Sequence, residues 1–262
     1  MARISIFYLL VFALLPVWSA ARKTDRLPTI NCIKIDRDLV LSGKLDDPLW
    51  ARTETAPLVS ANDGKPMRSA ATARMLYNDR YVYVGFTCED DYIWGTMMKR
   101  DDPIYNEEVV EVFLSPTGFV RNYYEVEVSP LNTVADTFVL NGKPRDSLSW
   151  ANFHTYFEHD IDGLLTMTHV EGELNKPGAG KSWSVEMAIP ISGLIGPEMI
   201  APKPGTKWRL NFFRVDIPEK DKYEFYAWSP IMQPNDLHRP WRFGYVVFTE
   251  PKARIVRHGS TK

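Results

Sequence analysis

Between Arg100 and Ser129 the chain reads RDDPIYNEEVVEVFLSPTGFVRNYYEVEVS. Successive side chains of a β-strand point to opposite faces. In the first half, Val110, Val112 and Leu114 therefore share one face, and Val109, Glu111 and Phe113 the other. In the second half, Tyr124, Val126 and Val128 lie opposite Tyr123, Glu125, Glu127 and Ser129. The Ser-Pro-Thr-Gly segment between them carries turn chemistry. The pattern predicts a hairpin with an apolar face and a face on which Glu111 approaches Glu125 and Glu127. Carboxyl groups beside aromatic rings on a rigid sheet suit sugar hydroxyls, cations or acid–base chemistry. The same pattern also describes a solvated sheet face.

Strand patterns continue on both sides of this hairpin. ATARMLYN and YVYVGFTC flank Asn78-Asp79-Arg80, a hairpin signature. VADTFVL, HTYFEHD, LLTMTHVEGEL, SWSVEMAIP, KWRLNFFRVD, YEFYAWS and GYVVF follow. Turn pairs recur between them at Asn141-Gly142, Asp162-Gly163, Pro177-Gly178 and Pro204-Gly205. This rhythm predicts an all-β fold, a sandwich or jelly roll, with short helical turns at Asp46–Arg52 and Ile191–Ile195. No internal repeat or low-complexity linker interrupts it.

The N-terminus, MARISIFYLLVFALLPVWSAA, has the layout of a secretory signal: Arg3, an apolar run over Ile4–Leu15 broken only by Ser5, then Pro16 and small residues. Cleavage after Ser19 or after Ala21 fits. The run falls short of the roughly 20 residues a membrane span needs. The expected organisation is a signal at 1–21, one β-sandwich domain at 22–250 and a polar tail at 251–262. It implies a secreted monomer, extracellular or periplasmic, with no membrane span in the mature chain. The formal net charge of −2 and the lack of a long basic run argue against nucleic acid as a partner. Aromatic residues make up 13% of the chain, with eight tryptophans. In an exported protein such rings suit stacking on sugar faces, although core packing explains most single tryptophans. Trp50, Trp183 and Trp208 read as core; Trp94 and Trp150 fall in loops and are open to ligand contact.

Two cysteines are present. Cys88 falls in step with Val82, Val84 and Phe86 and points inward, while Cys32 falls opposite Ile33 and Ile35. An oxidising compartment permits a bridge between them, and the spacing leaves that open. Gly178-Ala179-Gly180-Lys181-Ser182 imitates the end of a phosphate loop, but Asn175 stands where the first glycine is required and a strand pattern follows, so it reads as a hairpin turn. The five histidines have no metal-ligand spacing. Asp46-Asp47, Glu89-Asp90-Asp91 and Asp101-Asp102 are candidates for a structural calcium, and no other cofactor is indicated.

Taken in order, further motifs line up: Ser42-Gly43-Lys44-Leu45-Asp46-Asp47-Pro48-Leu49-Trp50, then Asn78-Asp79-Arg80-Tyr81-Val82-Tyr83-Val84. Tyr105-Asn106-Glu107-Glu108-Val109-Val110-Glu111 and Tyr124-Glu125-Val126-Glu127-Val128-Ser129-Pro130 follow. Trp183-Ser184-Val185-Glu186, Trp208-Arg209-Leu210-Asn211-Phe212, Trp228-Ser229-Pro230 and His238-Arg239-Pro240-Trp241-Arg242-Phe243-Gly244 complete the series. Over about residues 33–248 the chain resembles a carbohydrate-binding module of family 9, within the DOMON-like β-sandwiches.

The resemblance implies a two-sheet antiparallel sandwich with a small sugar slot, in which two tryptophans sandwich a terminal sugar and polar side chains bond its hydroxyls. By motif the first ring falls on Tyr105 and the acidic sugar contact on Glu111. The strand that supplies a glutamine, an arginine and an asparagine in such modules offers Glu125, Glu127 and Ser129 here. The second tryptophan is expected near Asp236 to His238, where His238 is the only aromatic residue, with Arg242 in the same loop. Glu127 reverses the charge of an arginine contact. A site so lined disfavours uronic acids unless a cation bridges, and suits neutral or amino sugars.

The expected function is reversible binding of a saccharide or polysaccharide, ancillary to polysaccharide breakdown, without catalysis. The alternatives are a hydrolase of O-glycosyl bonds acting through paired glutamates, a protein-interaction domain, and haem binding through Met75, Met97, Met98 or His154, as in some related DOMON sandwiches.

Overall fold

The computed structural model describes residues 26–251, apart from 146–148, 195–199, 220 and 235. The expected signal at 1–21 and all but the first residue of the 251–262 tail lie outside the described residues, as does Ile195. Fourteen strands account for most of the regular structure. The first five are β1 (Thr29–Lys34), β2 (Ala56–Pro57), β3 (Val59–Ser60), β4 (Ala71–Tyr77) and β5 (Tyr81–Glu89). Then come β6 (Val109–Ser115), β7 (Asn122–Val128), β8 (Val134–Asn141), β9 (Phe153–Tyr156) and β10 (Leu165–Gly172). The last are β11 (Gly180–Pro190), β12 (Lys207–Glu219), β13 (Lys222–Ala227) and β14 (Gly244–Thr249). One-turn 3₁₀ helices stand at Trp50–Arg52, Ile104–Asn106, Ile191–Gly193 and Pro240–Arg242; the first and third fall within the expected helical turns.

The strands form one mixed sheet in the order β10-β11-β5-β4-β1-β14-β12-β6-β7-β8-β9. It curls over itself into a β-sandwich. The pairings are antiparallel except at β1, which runs parallel to β4 and to β14, with Thr29 opposite Tyr245 and Ile33 opposite Thr249. That parallel seam joins the two layers. β12 is long enough to pair with β6 and β14 along one part and with β13 further on.

The main core fills the space between the layers. Val84 and Phe86 of β5 and Val185 and Met187 of β11 belong to the same buried cluster as Val112, Tyr124, Val126, Leu210 and Phe212 from the opposite layer. Val112, Tyr124 and Val126 are residues that the alternation placed on the apolar face of the hairpin. Each such side chain contributes roughly 1.5–3 kcal/mol by leaving water. Cys32 and Cys88 are both buried in this core and both are free thiols. Burial raises both thiols, Cys88 to about 12, so neither is a thiolate at neutral pH. Trp50, Trp183 and Trp208 are buried, as their patterns predicted.

Glu186 ties the opening loop to the back layer. Its carboxylate accepts the amide N–H groups of Ser42 and Gly43, both at 2.7 Å, and the indole N–H of Trp50 at 2.6 Å. Gly43 sits at φ +79°, with the backbone of Thr168 2.5 Å from where a Cβ would lie, so only glycine fits. Among the described residues no helix is long and apolar enough to cross a membrane.

Candidate functional site

The outer face of the front layer carries the other half of the alternation. Glu111 on β6 lies directly opposite Glu127 on β7, and Phe113 lies opposite Glu125. On either side of the glutamates the same face is apolar. Phe113, Tyr123, Val139, Phe213 and Phe243 form one cluster. Ile104, Val109, Val215 and Ile217 form another. The three carboxyl groups are thus held between two hydrophobic masses. One oxygen from each lies within 4.8 Å of the others.

This position sets their protonation. Burial, and then Glu111, push Glu125 up to about 8. Glu111 is raised by burial and then by Glu127, and Glu127 by burial and then by Glu125. With no ligand present the cluster retains protons at neutral pH. The sequence suggested a row of charged acceptors. The folded site instead presents carboxylic acids able to donate as well as accept.

Above this floor opens a pocket of about 670 Å³. Its rim is aromatic. Tyr105, Trp150, Phe157 and Tyr223 all line it and remain 45–60% exposed, at 46%, 50%, 57% and 46%. Tyr105 is the middle residue of the 3₁₀ turn at Ile104–Asn106, which the buried Ile104 anchors. Glu107, which follows the turn, accepts the amides of Thr96 and Met97 at 2.8 and 3.1 Å and so fixes the loop beside it. Trp150 packs edge-on against Phe153 and has the Lys143 ammonium 3.6 Å from its ring centre. Tyr223 stacks on Phe225.

His238 closes one end. Its ring lies 5.1 Å from that of Phe113, and its Nδ1 shares a 2.8 Å hydrogen bond with the Tyr123 hydroxyl. Burial lowers its pKa to about 4, so the imidazole is neutral. Tyr105, Glu111, Glu125, Glu127 and His238 therefore meet in one pocket.

Two residues of the expected set lie elsewhere. Ser129 falls just past the end of β7, is not among the lining residues, and its hydroxyl oxygen accepts the amides of Leu131 and Thr133 in the following turn, both at 3.2 Å. Arg242 ends the 3₁₀ turn at Pro240–Arg242 and directs its Nε to the Pro230 carbonyl at 2.9 Å, away from the pocket. Trp94 donates its indole N–H to the Ile217 carbonyl and packs on Tyr92. Trp150, which its loop position left open to ligand contact, and Tyr223, which no motif marked, both line the pocket.

The remaining acidic clusters each enclose an arginine. Asp90 and Asp216 flank the fully buried Arg214 guanidinium at 2.6 and 3.3 Å, and Glu108, pushed up to about 11 by burial and then by Asp90, completes that group. Asp101, Asp136 and Asp160 surround Arg100. The residue types named for haem are dispersed: Met75 lies in the inter-layer core, Met98 is exposed, and His154 is on the exposed side of β9.

Residues 59–248 match carbohydrate-binding family 9, and the chain belongs to that family. Solved structures share the fold. A proposed carbohydrate-binding protein from Bacteroides uniformis is 19% identical, with a TM-score of 0.67 over 85% of this chain and 99% of that one. A family 9 module from Caldicellulosiruptor kristjanssonii in complex with cellotriose is 14% identical, with a TM-score of 0.58 over 87% and 97%. The same organism's family 9 module with glucose gives 16% and 0.57 over 87% and 100%. A search of curated proteins gives no match.

Proposed function

We propose that the protein is exported and reversibly binds a saccharide in this pocket, with Tyr105 as a stacking platform and Glu111, Glu125 and Glu127 as the hydrogen-bonding floor. The observation that carries this reading is the half-exposed Tyr105 on the rim of the pocket whose floor holds the three buried glutamates. Family membership supports it, as do the cellotriose and glucose complexes of family 9 modules with this fold. A pyranose offers apolar C–H faces to the ring and hydroxyls to the floor. The pocket volume of about 670 Å³ suits one to a few sugar rings. Such binding serves an ancillary role in polysaccharide breakdown, holding a glycan near enzymes that cleave it.

Isothermal titration against a panel of neutral, amino and acidic oligosaccharides tests the reading. Binding that Tyr105→Ala weakens supports it. Folded protein that binds no saccharide overturns it. Cell fractionation of the native host tests export: the chain is expected outside the cytoplasm and shorter by about 20 residues.

The hydrolase alternative has less support. An inverting pair stands about 6.5–9.5 Å apart to admit water, and a retaining pair about 5–5.5 Å. Either mechanism needs one carboxylate ionised as nucleophile or base, whereas burial and mutual repulsion raise all three glutamates here.

A further inference from the structure

Three carboxyl clusters occur among the described residues, and they differ in one respect. Arg214 stands within the first, and Arg100 within the second. The third, Glu111 with Glu125 and Glu127, has no cation of its own among the described residues: none of those lining the pocket is a lysine or arginine. The other acids around the pocket are spoken for. Asp136 pairs with Arg100, Asp236 with Lys143, Asp101 lies 3.7 Å from Arg100, and Asp102 accepts the Lys99 amide. The one basic ring among the described lining residues, His238, is neutral.

A second observation is independent of the clustering. Glu127 is only 4% exposed and lines the pocket, yet its Oε2 has no hydrogen-bond partner. A buried carboxyl oxygen left unpaired is costly, and a donor arriving with the ligand removes that cost.

We propose that the floor of this pocket receives an ammonium group, and that the saccharide it prefers carries a free primary amine, as in a glucosamine oligomer. The inference rests on the saccharide-binding reading above and specifies its ligand. An ammonium presents three donors, and three glutamates face it. An arriving ammonium favours the ionised form of the glutamates, so binding draws protons off the floor, and the cation–carboxylate bonds that result are shorter and stronger than neutral ones. Tyr105, Trp150 and Tyr223 favour the same ligand, because ring faces attract cationic groups as well as sugar C–H faces. Calcium takes six to eight oxygens and three carboxyl groups carry six, so calcium is the competitor the test includes, while the pocket above the floor is wide enough for an organic ligand. An N-acetylated sugar lacks the charge, and a uronic acid brings the wrong one.

The test is calorimetric titration of the purified protein at low and moderate salt. The ligands are a glucosamine tetramer, its N-acetylated counterpart, cellotetraose, a galacturonate tetramer and calcium chloride. The glucosamine tetramer is expected to bind about tenfold or more tightly than cellotetraose, with the advantage shrinking as salt rises. Glu127→Gln is expected to remove the difference between the two. If that variant does not fold, the ligand series on the unaltered protein decides alone. Equal or weaker binding of the amine overturns the inference and leaves saccharide binding standing. Silence toward every saccharide overturns the reading beneath it. Calcium that binds in the pocket and excludes the glucosamine tetramer overturns the inference in favour of a metal site.

Discussion

The Lys143 ammonium lies 3.6 Å from the centre of the Trp150 ring while donating to Asp236 at 2.8 Å. The lysine is fully buried, and both of its partners line the pocket. One internal cation thus props an aromatic wall from behind and neutralises an acid beside it. Lys143→Met leaves the buried Asp236 with the His238 amide but without its cation, and breaking such a pair costs about 3–5 kcal/mol. Urea denaturation is expected to show that loss, accompanied by a change in tryptophan emission as Trp150 loses its support. Trp150→Phe keeps the ion pair and is expected to cost less.

The glutamate floor makes stability depend on pH. In the unfolded chain Glu125 titrates near 4.5, whereas in the fold it stays protonated to about 8. Between those values the native state holds the extra proton, so stability falls as pH rises. His238 acts with the opposite sign below its ordinary 6.5, because the unfolded chain takes up a proton there and the buried ring, at about 4, does not. From pH 6.5 to 8 the histidine is silent. The protein is expected to lose about 1–2 kcal/mol across that window through Glu125. Glu108, held near 11, adds a slope of the same sign. The difference between the unaltered protein and Glu125→Gln isolates the share of Glu125 from those of Glu108, Glu111 and Glu127, which are raised too, and denaturant midpoints at the two pH values measure it.

Tyr105 is 46% exposed and contributes a ring to the rim rather than to the core. Tyr105→Ala is expected to leave the melting temperature within a few degrees. Saccharide affinity should drop by roughly 1–3 kcal/mol, the range for loss of a central aromatic contact. Paired melting and titration experiments on one preparation check both halves. A large fall in melting temperature with unchanged affinity would contradict the role given to this ring.

Glu186 supplies the reverse control. It lies in the back layer, and its two oxygens together take three N–H groups from Ser42, Gly43 and Trp50. Glu186→Gln turns one acceptor into a donor facing donors. Destabilisation of about 1–3 kcal/mol is expected, with saccharide affinity retained in the folded fraction.

Much of this fold was legible because alternation in a sheet packed on one side is unambiguous. Val112 and Val126 had to face the core if Glu111 and Glu125 faced away, and the hairpin turn set the register. β1 was hidden for the opposite reason. Only Ile30 and Cys32 mark its core face, while Ile33 on the other face is itself half-buried against a second cluster, so the alternation is short and blurred. β2 and β3 have two residues each and make no pattern at all. In the site, Tyr105 and the three glutamates were visible because they sit on or next to one hairpin. Ser129 was placed by extending that alternation one residue beyond the strand, where the chain already turns. Trp150, Tyr223 and Lys143 converge from distant segments, and only tertiary structure brings them together.

The parallel seam between β1 and β14 brings strands from opposite ends of the described sequence side by side. A growing chain therefore cannot close the sheet until almost all of it has been made, and until then the edges of β1 and β12 that β14 will cover stay open. Open strand edges invite pairing with other chains, and contacts between distant segments form slowly. The order of synthesis thus leaves the join between the layers as the last to form, and the stage before it as the one at which the chain most needs shelter from its neighbours.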